Sequence, residues 1–308
     1  MNVKTLFSTV SLAVGFSFFQ AGVAVALPAP AESGPATITV TAVAKKEAPP
    51  PVGKDDVQFT AGKERKQIAQ WTKAEKLYLA ILIDDSLESE VAGQWNELKQ
   101  FINAQPPTTY IAVGFASNAT VRLAQDFTTN HELDAKALRI PLGYPAADSS
   151  PYLSVIDWMK RWPATGDRRS LLLISSGIDY LRGGFGPIYP DVDTAISIAE
   201  KGNINLWNIY SPSAGHRSRA FFLLNTAQNN LSKLCEETGG EAYFLGTSAP
   251  VSFKPFLDEL QMHLDHQYLL TFAGDGGPKG KFTGVHLKTE LEHVEFMHAN
   301  QAWIPPAK

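Results

Sequence analysis

Between Leu77 and Leu264, apolar runs short enough for strands alternate with longer stretches of helical periodicity, and this alternation leaves few architectures open. Leu77 to Ile83 is apolar throughout, as a strand buried on both faces requires. Val91, Trp95, Leu98, Phe101 and Ile102 then share one helical face. Strands follow at Tyr110 to Phe115 and Val121 to Phe127, joined by the turn-like Ala116-Ser117-Asn118. A helix from Ser150 to Arg161 opens on a serine followed by Pro151, a favoured cap and first-turn pair. Leu171 to Ile174, Ile204 to Ile209 and Ala242 to Leu245 read as strands. Asp191 to Lys201, Phe221 to Glu237 (closed by Gly239-Gly240) and Phe253 to Leu264 read as helices. The fold class is therefore α/β: a doubly wound, mostly parallel central sheet, Rossmann-like, with helices on both faces. Such sheets bind ligands at the carboxyl ends of the strands, which points to the loops after Ile83 and Ile174.

The flanks follow a different pattern. Lys4 precedes a mostly apolar run from Leu6 to Phe19, and Ala24-Val25-Ala26 offers the small residues of a signal-peptidase site. Residues 1–26 are expected to be a signal peptide and the protein exported, to a periplasmic or extracellular location. Residues 27–54 are rich in Pro and Ala, with Pro49-Pro50-Pro51 favouring polyproline II, and read as a linker holding a short strand at Thr37 to Val43. Residues 55–75 form a small β prefix, residues 76–265 the main domain, and residues 266–308 a C-terminal extension of hairpins at Gln267 to Phe272, Phe282 to Lys288 and Val294 to His298.

A formal charge of -4, with basic residues scattered, gives no stripe able to neutralise a phosphate backbone, so nucleic acid is not the expected partner. No stretch after the leader is long and apolar enough to span a bilayer. The single cysteine, Cys235, lies at helical spacing with Leu231 and Leu234 and reads as a small buried hydrophobe.

The loop after the first core strand reads Ile83-Asp84-Asp85-Ser86-Leu87-Glu88-Ser89. It resembles the Asp-x-Ser-x-Ser loop of von Willebrand factor type A domains, which presents one Asp and two hydroxyls to a divalent cation. Asp84 and Ser86 occupy the first two positions, and Glu88 stands where the second serine belongs. The resemblance implies a threonine from a second loop, where Asp148-Ser149-Ser150-Pro151 offers Ser149 or Ser150 instead. It implies an aspartate from a third loop, where Ile174-Ser175-Ser176-Gly177 offers Ser176, with Asp179 three residues on. The β prefix and the terminal hairpins are similar to the flanks of a bacterial exported subgroup of von Willebrand factor A-related proteins. A hard cation needs carboxylate charge to offset its dehydration. The expectation is therefore a degenerate, hydroxyl-rich site with no cofactor, the alternative being Mg²⁺ or another divalent cation held by the same residues.

Catalytic patterns are missing. No Gly-x-Ser-x-Gly elbow occurs, Ser175 and Ser176 have no histidine in a base-like context, and His131-Glu132 lacks the second histidine of a zinc-protease helix. His263 and His266 read as a solvated helix end. Gly274 to Lys281 fails the spacing of a phosphate loop and reads as a hairpin turn. The loop Asp179 to Pro190, carrying Arg182, Phe185 and Tyr189 among glycines, has interface chemistry. The expected function is a non-catalytic module that holds a protein partner with the loops at the strand ends. Metal-dependent adhesion and an unrecognised hydrolase are the alternatives.

Overall fold

Leu79, Ile81 and Ile83 belong to one hydrophobic core, while Ala80 and Leu82 belong to another on the opposite side. That division, with a period of two residues, is what a strand covered on both faces produces. The computed structural model describes residues 34–45, 48–144, 149–163, 165–182, 190–215 and 221–306. The expected signal peptide at 1–26 lies outside these residues.

The central sheet contains β5 (Leu77–Asp84), β6 (Thr109–Ser117), β7 (Thr120–Thr128), β8 (Arg168–Ser175), β9 (Ile204–Tyr210) and β10 (Ala242–Tyr243). Its order is β10-β9-β8-β5-β6-β7, parallel throughout except for the β6–β7 hairpin. Renumbered from β5, this is the doubly wound order 6-5-4-1-2-3, with the switch point between β5 and β8. α1 (Trp95–Asn103), α2 (His131–Lys136) and α6 (Lys254–Asp265) cover one face; α3 (Pro151–Lys160), α4 (Pro190–Gly202) and α5 (Phe221–Glu237) cover the other. Ala116 and Ser117, expected in the turn, lie in β6. The turn itself is Asn118-Ala119, both at positive φ, which suits the twist of a two-residue hairpin. Cys235 is buried, and burial pushes its thiol up, as a packed core residue should show. No helix among the described residues is long and apolar enough to cross a membrane.

The flanks build more than appendages. The segment read as linker contains β1 (Gly34–Ala44), which pairs antiparallel with β11 (Gln267–Gly274) from Gly34↔Gly274 to Thr41↔Gln267. With β4 (Ile68–Thr72) and β13 (Val294–His298) they form a sheet of order β13-β1-β11-β4. A second sheet, β14-β12-β2-β3, joins β14 (Gln301–Ile304), β12 (Lys281–Thr289), β2 (Val57–Ala61) and β3 (Glu64–Arg65). Both line one core of their own, in which Phe59 and Phe272 lie 4.7 Å apart between ring centroids. The reading of this region as a small prefix and a separate extension is thus replaced by a β-sandwich whose strands come from both ends of the chain. Asn203 Oδ1 accepts from Thr39 N–H at 2.7 Å, Glu200 accepts from Gln301 N–H at 3.0 Å, and these bonds fasten the sandwich to α4 and the turn after it.

Candidate functional site

Asp84 closes β5 and Ser175 closes the neighbouring β8, so the parallel register Ile83↔Ile174 brings their side chains together at the switch point. Asp84 is buried; its Oδ1 accepts from Ser86 N–H at 2.9 Å and its Oδ2 from Ser175 O–H at 2.8 Å. Burial raises its carboxyl above the usual range, with the neighbouring Asp85 adding repulsion, while the Ser86 and Ser175 donors oppose the rise. Ser86 Oγ, in contrast, is buried without a hydrogen-bond partner among the described residues.

The remaining predicted residues separate into distinct roles. Ser150 caps α3, accepting from Leu153 N–H at 3.3 Å, and donates to Asp179 Oδ2 at 2.8 Å. Asp179 Oδ1 accepts from Arg182 N–H at 3.0 Å; burial raises this carboxyl too, against those two donors. Asp179 therefore turns to Ser150 rather than toward Asp84. Ser149 contributes its carbonyl, which accepts from Tyr180 and Leu181 N–H. Ser176, aligned with the family's acid, is fully buried, and its Oγ accepts from Ile178 N–H at 3.3 Å. Glu88 starts the short helical turn Ser89–Gln94, and its N–H donates to Pro212 O. Arg182 is half exposed and forms a forked pair with Asp191 at 2.8 and 3.2 Å. Asp148, Phe185 and Tyr189 lie outside the described residues.

Sequence reasoning missed Asp85. It is buried beside Asp84 and takes both guanidinium nitrogens of Arg139 at 2.7 Å, while Arg139 lies over the Phe115 ring at 3.7 Å. Gly143 N–H donates to Asp85 O, so the segment from Arg139 to Gly143 is pinned across the strand ends. Two adjacent aspartates after a buried strand are the signal, since one of them needs a cation; nothing local names Arg139.

The loops are knitted into one surface. Ala214 N–H donates to Ser86 O, Tyr180 O–H to Ser213 Oγ at 2.6 Å, Gln228 to Gly246 O, and Tyr210 O–H to Thr247 O. Large apolar side chains that remain exposed include Ile140 60%, Tyr144 66%, Phe221 72%, Phe222 63% and Leu245 71%, with Leu142 and Leu181, as well as Leu123, Leu133 and Val251. Among the described residues no histidine is hydrogen-bonded to Ser150, Ser175 or Ser176, and the one histidine that touches an ionisable side chain, His263, does so at Tyr243.

No protein-family model matches the sequence, and no curated protein matches it. The chain is similar to the solved structure of an aerotolerance-related membrane protein from Bacteroides fragilis carrying multiple mutations to serines, at 10% identity and a TM-score of 0.43, over 61% of this chain and 98% of that one. It is similar to BatB from Bacteroides thetaiotaomicron at 11% identity and 0.41, over 61% and 97%. A von Willebrand factor type A protein from Catenulispora acidiphila is similar at 11% identity and 0.33, over 90% and 74%. With scores this low, the doubly wound fold stands on the strand order and register given above.

Proposed function

We propose that this chain is an exported, non-catalytic module of von Willebrand factor A type that holds a protein partner with its strand-end loops, independently of metal. The observation that carries the reading is the exposure of large apolar side chains, Ile140, Leu142, Tyr144, Leu181, Phe221, Phe222 and Leu245, on the segment held to Asp85, after β8, at the start of α5 and after β10. A soluble surface rarely gathers apolar side chains into a patch unless something covers them.

The polar floor supports binding over catalysis. Among the described residues Ser175 donates to a carboxylate and no imidazole bonds it, which supports binding over a Ser/His/Asp relay. The same floor fits Mg²⁺ poorly. Asp84 is one buried carboxylate already accepting two protein donors, Asp85 is spent on Arg139, Asp179 on Ser150, and Ser176 carries no charge. Ser86 Oγ, buried and without a partner among the described residues, is the observation that favours the second reading, adhesion through a cation held by Asp84, Ser86, Glu88 and Ser149 or Ser150.

Affinity capture with the purified chain as bait, with and without chelator, separates the readings. Phe221→Ser with Phe222→Ser should abolish capture while the melting temperature holds, and chelator should leave capture unchanged. Capture that survives the double substitution sinks the interface; capture lost to chelator and restored by Mg²⁺ establishes metal-dependent adhesion.

A further inference from the structure

At the lateral edge of the central sheet, beyond β10, a buried imidazole and two carboxylates converge. Glu259 and His263 lie four residues apart on α6 and so project from one face, a turn apart. Glu241 immediately precedes β10 and stands two residues before Tyr243, on the side of the sheet that α6 covers. One ligand atom from each of the three lies within 4.8 Å of the others, the only such group of His, Cys, Asp and Glu among the described residues.

His263, expected from sequence to be solvated, is 4% exposed. It stacks on Trp207 at 5.4 Å between centroids, and its Nδ1 lies 3.2 Å from Tyr243 Oη. His266, its expected companion, instead bonds Met262 O through its own Nδ1. The second ring nitrogen of His263, Nε2, has no hydrogen-bond partner among the described residues, although burial holds the ring neutral, with its pKa lowered to about 4. Neither Glu241 nor Glu259 forms an ion pair with a Lys or Arg among the described residues. Electron-pair donors are thus concentrated where no cation among the described residues answers them.

We propose that Glu241, Glu259 and His263 form a binding site for a divalent transition metal of the Zn²⁺ type, with Tyr243 as a positioning residue. One imidazole with two carboxylates is a borderline nitrogen–oxygen set, which suits Zn²⁺ better than the all-oxygen shells of Mg²⁺ or Ca²⁺. Bonds of about 2.0–2.2 Å put the donors of such an ion roughly 3–4 Å apart, a closure that rotation of the exposed Glu259 supplies. Metal-bound histidines usually donate their other ring N–H to a second partner. The Nδ1–Tyr243 Oη contact fills this place in the tautomer that carries its proton on Nδ1, the one the proposed site requires, with the Nε2 lone pair then left for the ion. Three protein ligands leave a coordination position open for water or a ligand. The site is separate from the strand-end surface and does not rest on the function proposed there.

Calorimetric titration of the purified, chelator-stripped chain with Zn²⁺, and separately with Mg²⁺, tests this. One Zn²⁺ should bind per chain, and Mg²⁺ should not compete for it. Glu259→Gln, at an exposed position, should weaken Zn²⁺ by at least about tenfold, and Tyr243→Phe, which keeps the ring and removes the hydroxyl, by about tenfold. Co²⁺ in place of Zn²⁺ should give a visible absorption band that His263→Ala alters; if that variant does not fold, Glu241→Gln replaces it. Asp84→Asn should bind Zn²⁺ as the parent does. The proposal is overturned if the parent binds no Zn²⁺, or if binding is undiminished in both Glu259→Gln and Glu241→Gln.

Discussion

The buried carboxylates at the strand ends and the buried carboxylate of Asp134 differ in what answers them. Asp84, Asp85 and Asp179 each accept at least two protein donors, from backbone N–H groups, serine hydroxyls or a guanidinium. Asp134 in α2 is fully buried with no partner for either oxygen among the described residues, and the partly buried Glu241 faces Glu259 at the sheet edge. A carboxylate whose donors are built into the fold organises loops and needs nothing from outside. One without donors either stays protonated or waits for a cation.

Removing Arg139 would break the contrast most severely, because it turns an answered carboxylate into an unanswered one. Arg139→Ala should cost about 3 kcal/mol, toward the lower end for a broken buried pair because Arg139 is itself 40% exposed while Asp85 is 4% exposed. Chemical denaturation would measure it, and adding Asp85→Asn should recover part of the loss by removing the stranded charge.

Supplying the missing acid should convert the strand-end site from self-satisfied to cation-seeking. Ser176→Asp with Glu88→Ser recreates the ligand set implied by the family around Asp84 and Ser86. Mg²⁺ at a hundredfold excess over Kd would then stabilise the double variant by about 2.7 kcal/mol, read as a melting shift that the parent lacks. A Mg²⁺ shift in the parent that Asp84→Ala removes would contradict the metal-independent reading.

Asp134 tests the other side of the comparison. Burial lifts its carboxyl from 3.8 to about 7, so the folded chain holds this proton more tightly than the unfolded chain does. The stability this confers is complete below about pH 4 and is lost as pH rises through 7. Asp134→Asn should therefore flatten the decline between those values and stabilise the protein at pH 8 by about 2 kcal/mol, measured by denaturation across pH. An unchanged slope would mean that the carboxylate is solvated.

The smallest effect concerns the loop expected to bind a partner. Arg182→Ala strands Asp191, whose side chain is 11% exposed, and should lower the melting temperature only slightly, the charge retaining some benefit at the start of α4. Phe185→Ala with Tyr189→Ala should stay within about 0.5 kcal/mol in thermal melts while weakening capture, as interface residues do. Arg182 thus has a fold-holding role that its sequence context did not suggest.

Legibility followed the range of each interaction. The apolar run at Leu77, the amphipathic faces, the Ser150 cap and the loop after Ile83 could all be read from neighbouring residues, because periodicity and capping act within a few positions. The turn after β6 shifted toward Asn118-Ala119, since the hairpin's twist outweighs composition in placing positive φ. His263 near the end of α6 is buried rather than solvated because solvation is a property of what packs on a helix, and Trp207 and Tyr243 come from β9 and β10.

Residue types and their spacing were enough to determine strands, helices, the doubly wound class and the strand-end position of Asp84, each a consequence of local burial patterns and chain stereochemistry. Only the tertiary structure decided which charges meet: Asp85 with Arg139, Ser150 with Asp179, and Glu241 with Glu259 and His263. It also decided that β1 pairs with β11 to make a sandwich from opposite ends of the chain. The physical reason is that these contacts join segments far apart in sequence. Their partners are selected by closing the chain around shared cores, and no local period records that selection.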